Sequence, residues 1–353
     1  LYFENNIMKK IILPVSLGLA HGVSDCSAGL ILGSLSGTMS IYGIGSLVLL
    51  YNILAFGAQP LAGLLTDRLR NPKLAVITGL ALMVAAILMY FVNPFASVVC
   101  AGLASAIFHV GGGALALCAT PERSAGAGLF SAPGVAGLAI GGYLAVNGIF
   151  PVYLIITMLV LLSVLIFSLK QPVLPYNSTT RNDEFEKHDF IMLFLLLAIA
   201  LRSAVWNIFQ HIEHGEITNI ILISLSAAGG KIFGGYAGDY FGWRKYSFAA
   251  LLLAIPLLII GEASFYFLLP GIALLQSVTP VLVTALYKNM KKLPATSAGL
   301  SFGLAIAVGG LPFLANINAE EFNTPMVITG GIILTAALIY FGIKKRVKAI
   351  DAG

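Results

Sequence analysis

The chain has 353 residues, of which 58% are apolar and only 10% charged, with a formal net charge of +5 and a mean hydropathy of +0.94. Soluble domains carry roughly 45–50% apolar and about 25% charged residues, so this chain has too little charge to coat itself with a wettable surface. The composition excludes an ordinary soluble enzyme and predicts an all-α polytopic protein that lives in a lipid bilayer.

A helix crossing a hydrocarbon core of about 30 Å needs roughly 20 apolar residues. Transmembrane barrels show alternating segments of about 10 residues instead. The runs here are continuous, as in Val152–Leu169 and Tyr246–Ile260, so helices are expected. They fall at 11–35, 41–65, 74–93, 96–118, 125–146, 149–169, 190–210, 219–238, 246–263, 265–287, 296–315 and 325–343, twelve spans in all. Leu1-Tyr2-Phe3 looks like the scar of a protease tag and Met8 like a native start, so residues 1–7 are set aside. The first span follows Lys9-Lys10 without a small-residue cleavage site, so no cleavable signal peptide is expected. Cys26, Cys100 and Cys118 sit inside apolar runs without metal spacing and read as small core residues.

The longest polar stretch, 170–189, holds Pro172, Pro175 and the mixed-charge run Arg181–Asp189. It reads as a linker between an N-terminal six-helix bundle, 8–169, and a C-terminal one, 190–353. With the N-terminus inside, 18 of the 20 Lys and Arg fall on cytoplasmic segments and none on outer loops. Both termini are therefore expected in the cytoplasm. The basic pI of 9.0 then reflects topology and anionic lipid rather than nucleic acid. The two remaining basic residues, Arg202 and Lys231, lie inside spans seven and eight.

The halves repeat in parallel. Gly63-Leu-Leu-Thr-Asp67 matches Gly235-Tyr-Ala-Gly-Asp239 at an offset of 172 residues, and Ser124-Ala-Gly126 matches Ser297-Ala-Gly299 at 173. Parallel six-helix repeats imply a pseudo-two-fold axis along the membrane normal with a central cavity. Gly63-Leu-Leu-Thr-Asp67-Arg68-Leu-Arg70-Asn-Pro-Lys73 resembles the loop 2–3 motif of the major facilitator superfamily, with Arg70 in place of a Gly. Gly235–Lys245 resembles a second copy, with Tyr240 in place of its Arg. The resemblance implies an alternating-access transporter, generally monomeric, whose motif residues Asp67, Arg68, Asp239 and Arg244 gate the cytoplasmic side. His21-Gly-Val-Ser-Asp25 and Phe108-His109-Val-Gly111 resemble segments of the fosmidomycin-resistance-like exporters, with Val110 and Gly111 where that branch has Pro and Glu. Gly137-Leu-Ala-Ile-Gly141-Gly142 is similar to an antiporter segment, with Leu138 for Pro.

Ionisable groups inside a bilayer cost about 2.5–3.5 kcal/mol each on insertion scales, so each needs a partner, water or a purpose. His21 and Asp25, four apart on span one, share a face. A carboxylate beside an imidazole in a partly dry cavity can exchange protons near neutral pH. Asp25 is the candidate proton carrier, with His21 and His109 as relays; a structural Asp and a satisfied interhelical His are the plain alternatives. Arg202, Trp206 and Gln210 form a stripe on span seven suited to an anionic or aromatic ligand. The alternative for Arg202 is a permanent pairing with Asp25 or helix carbonyls. Lys231 and Gln59 each precede a motif Asp by eight residues, at matched depth on spans eight and two, and fit opposite cavity walls. Gln276 is a further cavity candidate. His211, Glu213, His214 and Glu216 have metal-ligand types but read as a solvated loop end, so no metal site is assigned. Gly229-Gly230 lacks the Lys-Ser/Thr of a phosphate loop, and no cofactor or enzymatic arrangement is expected.

The expectation is a secondary transporter in the cytoplasmic membrane of a bacterium, moving a small organic compound by proton-coupled export. The alternative is uptake or facilitated movement of a small anionic metabolite, favoured by Arg202 and Lys231. A divalent-metal carrier ranks third.

Overall fold

The computed structural model describes residues 2–35, 41–176, 187–212, 216–314 and 324–343, and among these every regular element is helical. Ten helices are long and apolar enough to cross a membrane, and the shorter apolar helices Val152–Ser168 and Pro294–Gly310 bring the set to twelve. They fall on the twelve expected runs. Span one continues one helix that starts at Tyr2.

Local chemistry sets where the helices start and stop. Asn71 and Asn93 each precede a Pro, and their side chains accept from Leu74 N and Ala96 N, both at 3.1 Å. That is N-capping with Pro in the first turn, where a missing N–H costs nothing. Span two ends at Leu69 with Arg70 in the left-handed region, φ 54°. The motif's usual Gly would take that conformation without a Cβ penalty. Between spans eight and nine the chain turns at Gly242, φ +89°.

Two spans are not regular. Span two is Ile41–Asn52, a π turn at Ile53–Gly57, then Gln59–Leu69. Span eleven is Pro294–Ala298, a π turn at Gly299–Leu304, then Ala305–Leu314. The wider turns face each other across the molecule: a Cβ on Gly303 would press on the Phe56 carbonyl and the Gln59 side chain. Such turns often mark functional places in helices.

Two apolar cores form. One draws mainly on residues before 170, around Phe108, Phe130, Leu80 and Leu159. The other draws on residues after 190, around Phe209, Leu251, Ile272 and Ile332. Within the first, span one lies directly on span five. A Cβ on Gly137 would strike the Gly22 carbonyl, and one on Gly141 the Cys26 carbonyl. Without a hydrophobic drive between helices in lipid, this backbone-to-backbone approach supplies the dispersion contact that holds them.

Candidate functional site

Span one carries His21 and Asp25, and span four brings His109 to meet them. His21 Nε2 lies 3.1 Å from Asp25 Oδ2, and His109 Nε2 lies 3.9 Å from the same oxygen. The Asp25 side chain is only 13% exposed, and its other oxygen, Oδ1, is buried without a partner. His21 stacks on Phe130 at 4.8 Å and meets His109 edge-on at 4.3 Å. Gly134 makes room for the ring, since a Cβ there would land on the His21 imidazole.

The backbone fixes both tautomers. His21 Nδ1 lies 2.8 Å from the Phe130 carbonyl and His109 Nδ1 lies 2.7 Å from the Ser105 carbonyl. A carbonyl oxygen only accepts, so both Nδ1 atoms carry hydrogen and donate. In a neutral imidazole Nε2 is then a lone pair. Two lone pairs converge on one carboxylate oxygen, three acceptors with no donor among them. A proton placed there resolves the conflict. The Ser105 hydroxyl sits 3.2 Å from His109 Nδ1, and the buried Tyr51 phenol bonds Ser105, extending the network to span two.

The three ligating atoms lie within 4.8 Å of one another, and the donor types would also suit a divalent ion. Lys231 argues for the proton instead. Its ammonium is within Coulombic reach of both Asp25 and His109, adding positive charge beside the cluster.

The C-terminal half brings one cation, Lys231, toward this cluster and a second, Arg202, within reach of Lys231. Arg202, 2% exposed, donates from Nη1 to Gln276 Oε1 at 2.8 Å, while its Nε is buried without a partner. Thr279 Oγ1 also donates to Gln276 Oε1, at 3.2 Å, and holds that amide in place. Lys231 donates to the Ser131 carbonyl of span five at 3.3 Å and is within Coulombic reach of Arg202 as well as Asp25. Trp206 is buried in the C-terminal core and Gln210 is half-buried. Gln59 is fully buried where span two meets span eleven, with Nε2 on the Ala55 carbonyl and Oε1 unpartnered. Gln59 and Lys231 thus occupy matching seams, spans two–eleven and eight–five. The side chains of His211, Glu213 and His214 lie outside the described residues.

The same two seams carry the motif aspartates. Asp67, 5% exposed, accepts from Ala295 N (3.0 Å), Thr296 N (2.8 Å) and Thr296 Oγ1 (2.7 Å) at the start of span eleven, and from the Tyr176 hydroxyl (3.0 Å). Asp239 accepts from Ser124 N (2.7 Å), Ser124 Oγ (2.8 Å) and Ala125 N (3.1 Å) at the start of span five, and from Trp243 Nε1 (3.0 Å). Each carboxylate satisfies orphan N–H groups at a helix N-terminus of the opposite half, where the helix dipole also favours negative charge. Burial and the Asp67 carboxylate push the Tyr176 phenol above its ordinary range, so it remains a donor. The gating arginines stand elsewhere. Arg68 is exposed, with no ion pair among the described residues, and Arg244 lies over the Tyr340 ring at 3.4 Å. The braces are carboxylate to backbone, not carboxylate to arginine.

No protein-family model matches this chain, and no curated protein sequence does. Among solved structures it is similar to an asparagine-to-alanine variant of the Escherichia coli fucose:proton symporter FucP, with a TM-score of 0.67 and 16% identity over 94% of this chain and 97% of that one. A second FucP structure, a Major Facilitator Superfamily transporter in the outward conformation, gives 0.67 and 16% over 95% and 98%. The human organic anion transporter MFSD10 (TETRAN) gives 0.66 and 16% over 94% and 99%. The chain has the major facilitator fold.

Within that fold, sequence reasoning missed Tyr51, Ser105, Tyr176 and Thr296. None carries a charge; Tyr51, Tyr176 and Thr296 act through partners far along the chain, and Ser105 acts on His109 one turn away. Tyr51 alone left a signal, a phenol inside a span eight residues before Gln59.

Proposed function

We propose that the chain is a proton-coupled secondary transporter that moves a small organic compound across the membrane by alternating access, with Asp25, His21 and His109 as the proton site. The observation that carries this is the pair of Nε2 lone pairs directed at Asp25 Oδ2, a cluster whose own geometry calls for a proton. Its placement beside the seam between halves couples occupancy to rocking, because the braces at Asp67 and Asp239 must break and re-form in each cycle. Asp67, Arg68, Asp239 and Arg244 act on that rocking; Arg202, Trp206, Gln210, Lys231, Gln59 and Gln276 supply the substrate-facing polar groups.

The segments around His109 and Gly137 favour export in exchange for inward protons. Co-transport is the second reading, favoured by the likeness to a fucose:proton symporter. Proteoliposomes with a trapped pH-sensitive dye test the proposal, challenged with organic anions, neutral sugars and lipophilic cations. A compound-dependent proton flux that Asp25→Asn abolishes is the expected result, and undiminished flux in Asp25→Asn would falsify it. The sign of the flux relative to the compound gradient separates exchange from co-transport.

A further inference from the structure

Away from the helix ends, the described spans carry three Asp, Arg or Lys side chains: Asp25 in the N-terminal half, Arg202 and Lys231 in the C-terminal half. The two cations exceed the one anion. Arg202 has no carboxylate partner among the described residues, only the neutral Gln276 amide, and one guanidinium N–H is buried unpaired. Lys231 leans on a carbonyl at 3.3 Å, a long contact for an ammonium. The Ser131 hydroxyl beside it is also buried without a partner. A buried charge is stable only when paired and hydrogen-bonded. The unmet requirement is one negative charge able to accept from a guanidinium, an ammonium and a hydroxyl.

We infer that Arg202 and Lys231 form the binding site of a small organic carboxylate, and that this anion and the proton on Asp25 bind with positive cooperativity. The inference rests on the proton-coupled reading above. Lys231 links the two sites, being within Coulombic reach of Arg202 and of Asp25. The groups around Asp25 are His21 and Cys26 on its own helix, His109 of span four, Tyr51 of span two and Lys231 of span eight. A carboxylate on Lys231 repels an ionised Asp25 and so favours its protonated form. Conversely, protonating Asp25 removes the negative charge that, among the described residues, competes for Lys231. Binding linkage is reciprocal, so each partner strengthens the other. Substrates that bind together with the proton travel with it, so this inference takes the second reading above, co-transport, over exchange.

The test is binding to the purified protein, read by tryptophan fluorescence from Trp206, one helical turn from Arg202, with Trp243 changed to Phe to silence the second indole. Benzoate, lactate and pyruvate are compared with their neutral amides at mildly acidic and at neutral pH. At least one carboxylate should bind while its amide does not, and more tightly at acidic pH. Lys231→Gln and Arg202→Lys should weaken it about tenfold or more, the scale of a lost hydrogen bond to a charged group. In Asp25→Asn the affinity should stay high and lose its pH dependence. Equal binding of amides and carboxylates overturns the inference, as does failure of all three carboxylates while compound-driven proton flux persists. Carboxylate binding that is pH-independent in the unaltered protein overturns the cooperativity. Loss of proton flux with carboxylate binding intact counts against the proton site alone.

Discussion

Replacing Asp67 by Asn is the sharpest probe of the seam between the halves. The carboxylate spans four donors, with Oδ1 taking Ala295 N and the Tyr176 hydroxyl and Oδ2 taking Thr296 N and Oγ1. An Asn keeps one accepting oxygen and turns an NH2 toward the other pair. The hydroxyl of that pair can rotate to accept, but its backbone N–H cannot. At least one bond to a charged group is lost, about 1.5–3 kcal/mol, together with about 0.3–1 kcal/mol of helix-terminus attraction. The sum, about 2–4 kcal/mol, shifts the balance between closed and open seam by about 30-fold or more, at tenfold per 1.4 kcal/mol. Cys118 reports on it, being 7% exposed with Sγ 3.4 Å from the Tyr287 hydroxyl across the seam. With Cys26 and Cys100 changed to Ala, maleimide should label Cys118 about 30-fold faster in Asp67→Asn than in its parent. Asp239→Asn should act alike at the other seam. An unchanged labelling rate in Asp67→Asn would refute the claim that this carboxylate holds the halves together.

Gly134→Ala drives a methyl into the His21 ring. It should lower stability by about 1–3 kcal/mol in thermal melts and disturb proton flux; a variant with unaltered melting and flux would contradict the packing described. Arg70→Gly relieves a left-handed φ of 54° and should raise stability by about 0.5–1 kcal/mol, seen as a higher Tm. The Lys291–Glu122 pair joins the halves at 2.9 Å, but both side chains are about half exposed, 49% and 48%. Lys291→Ala should therefore change labelling of Cys118 by less than about fivefold, in line with a surface pair worth under 1 kcal/mol. A larger change would mean that the exposed pair, rather than the aspartates, closes the seam.

Span number was legible because the bilayer imposes a length on every helix and the chain has almost no charge to confuse the runs. The repeat was legible too, since Asp67 and Asp239 must each sit at a helix end. What the offset of 172 residues could not show was the crossing of partners. Asp67 grips residues 228 and 229 positions away, and Asp239 grips residues 115 and 114 positions back. An Asp at a helix N-terminus could be expected from the motif, but backbone N–H groups have no sequence signature, so which helix start each aspartate meets could not be read. His21 and Asp25 declared themselves by i,i+4 spacing on one helix. His109 has no such spacing to declare it, and only the fold sets its Nε2 beside Asp25. The π turns in spans two and eleven were hidden because Ile53–Gly57 and Gly299–Leu304 are as apolar as any helical stretch.

The paired braces have the form of an isologous contact, in which the same patch of each half grips the same patch of the other, as in a two-fold dimer. In two identical subunits a single substitution would alter both grips at once. Covalent fusion removes that constraint, and here the two have already diverged: a linker phenol fastens Asp67, while the Trp243 indole at the start of span nine fastens Asp239. One latch is thus tied to the segment that joins the halves and the other is not. A pull on Tyr176 bears directly on the first. The two seams can therefore release in sequence, which gives a direction of peeling to a motion that perfect symmetry would leave undirected.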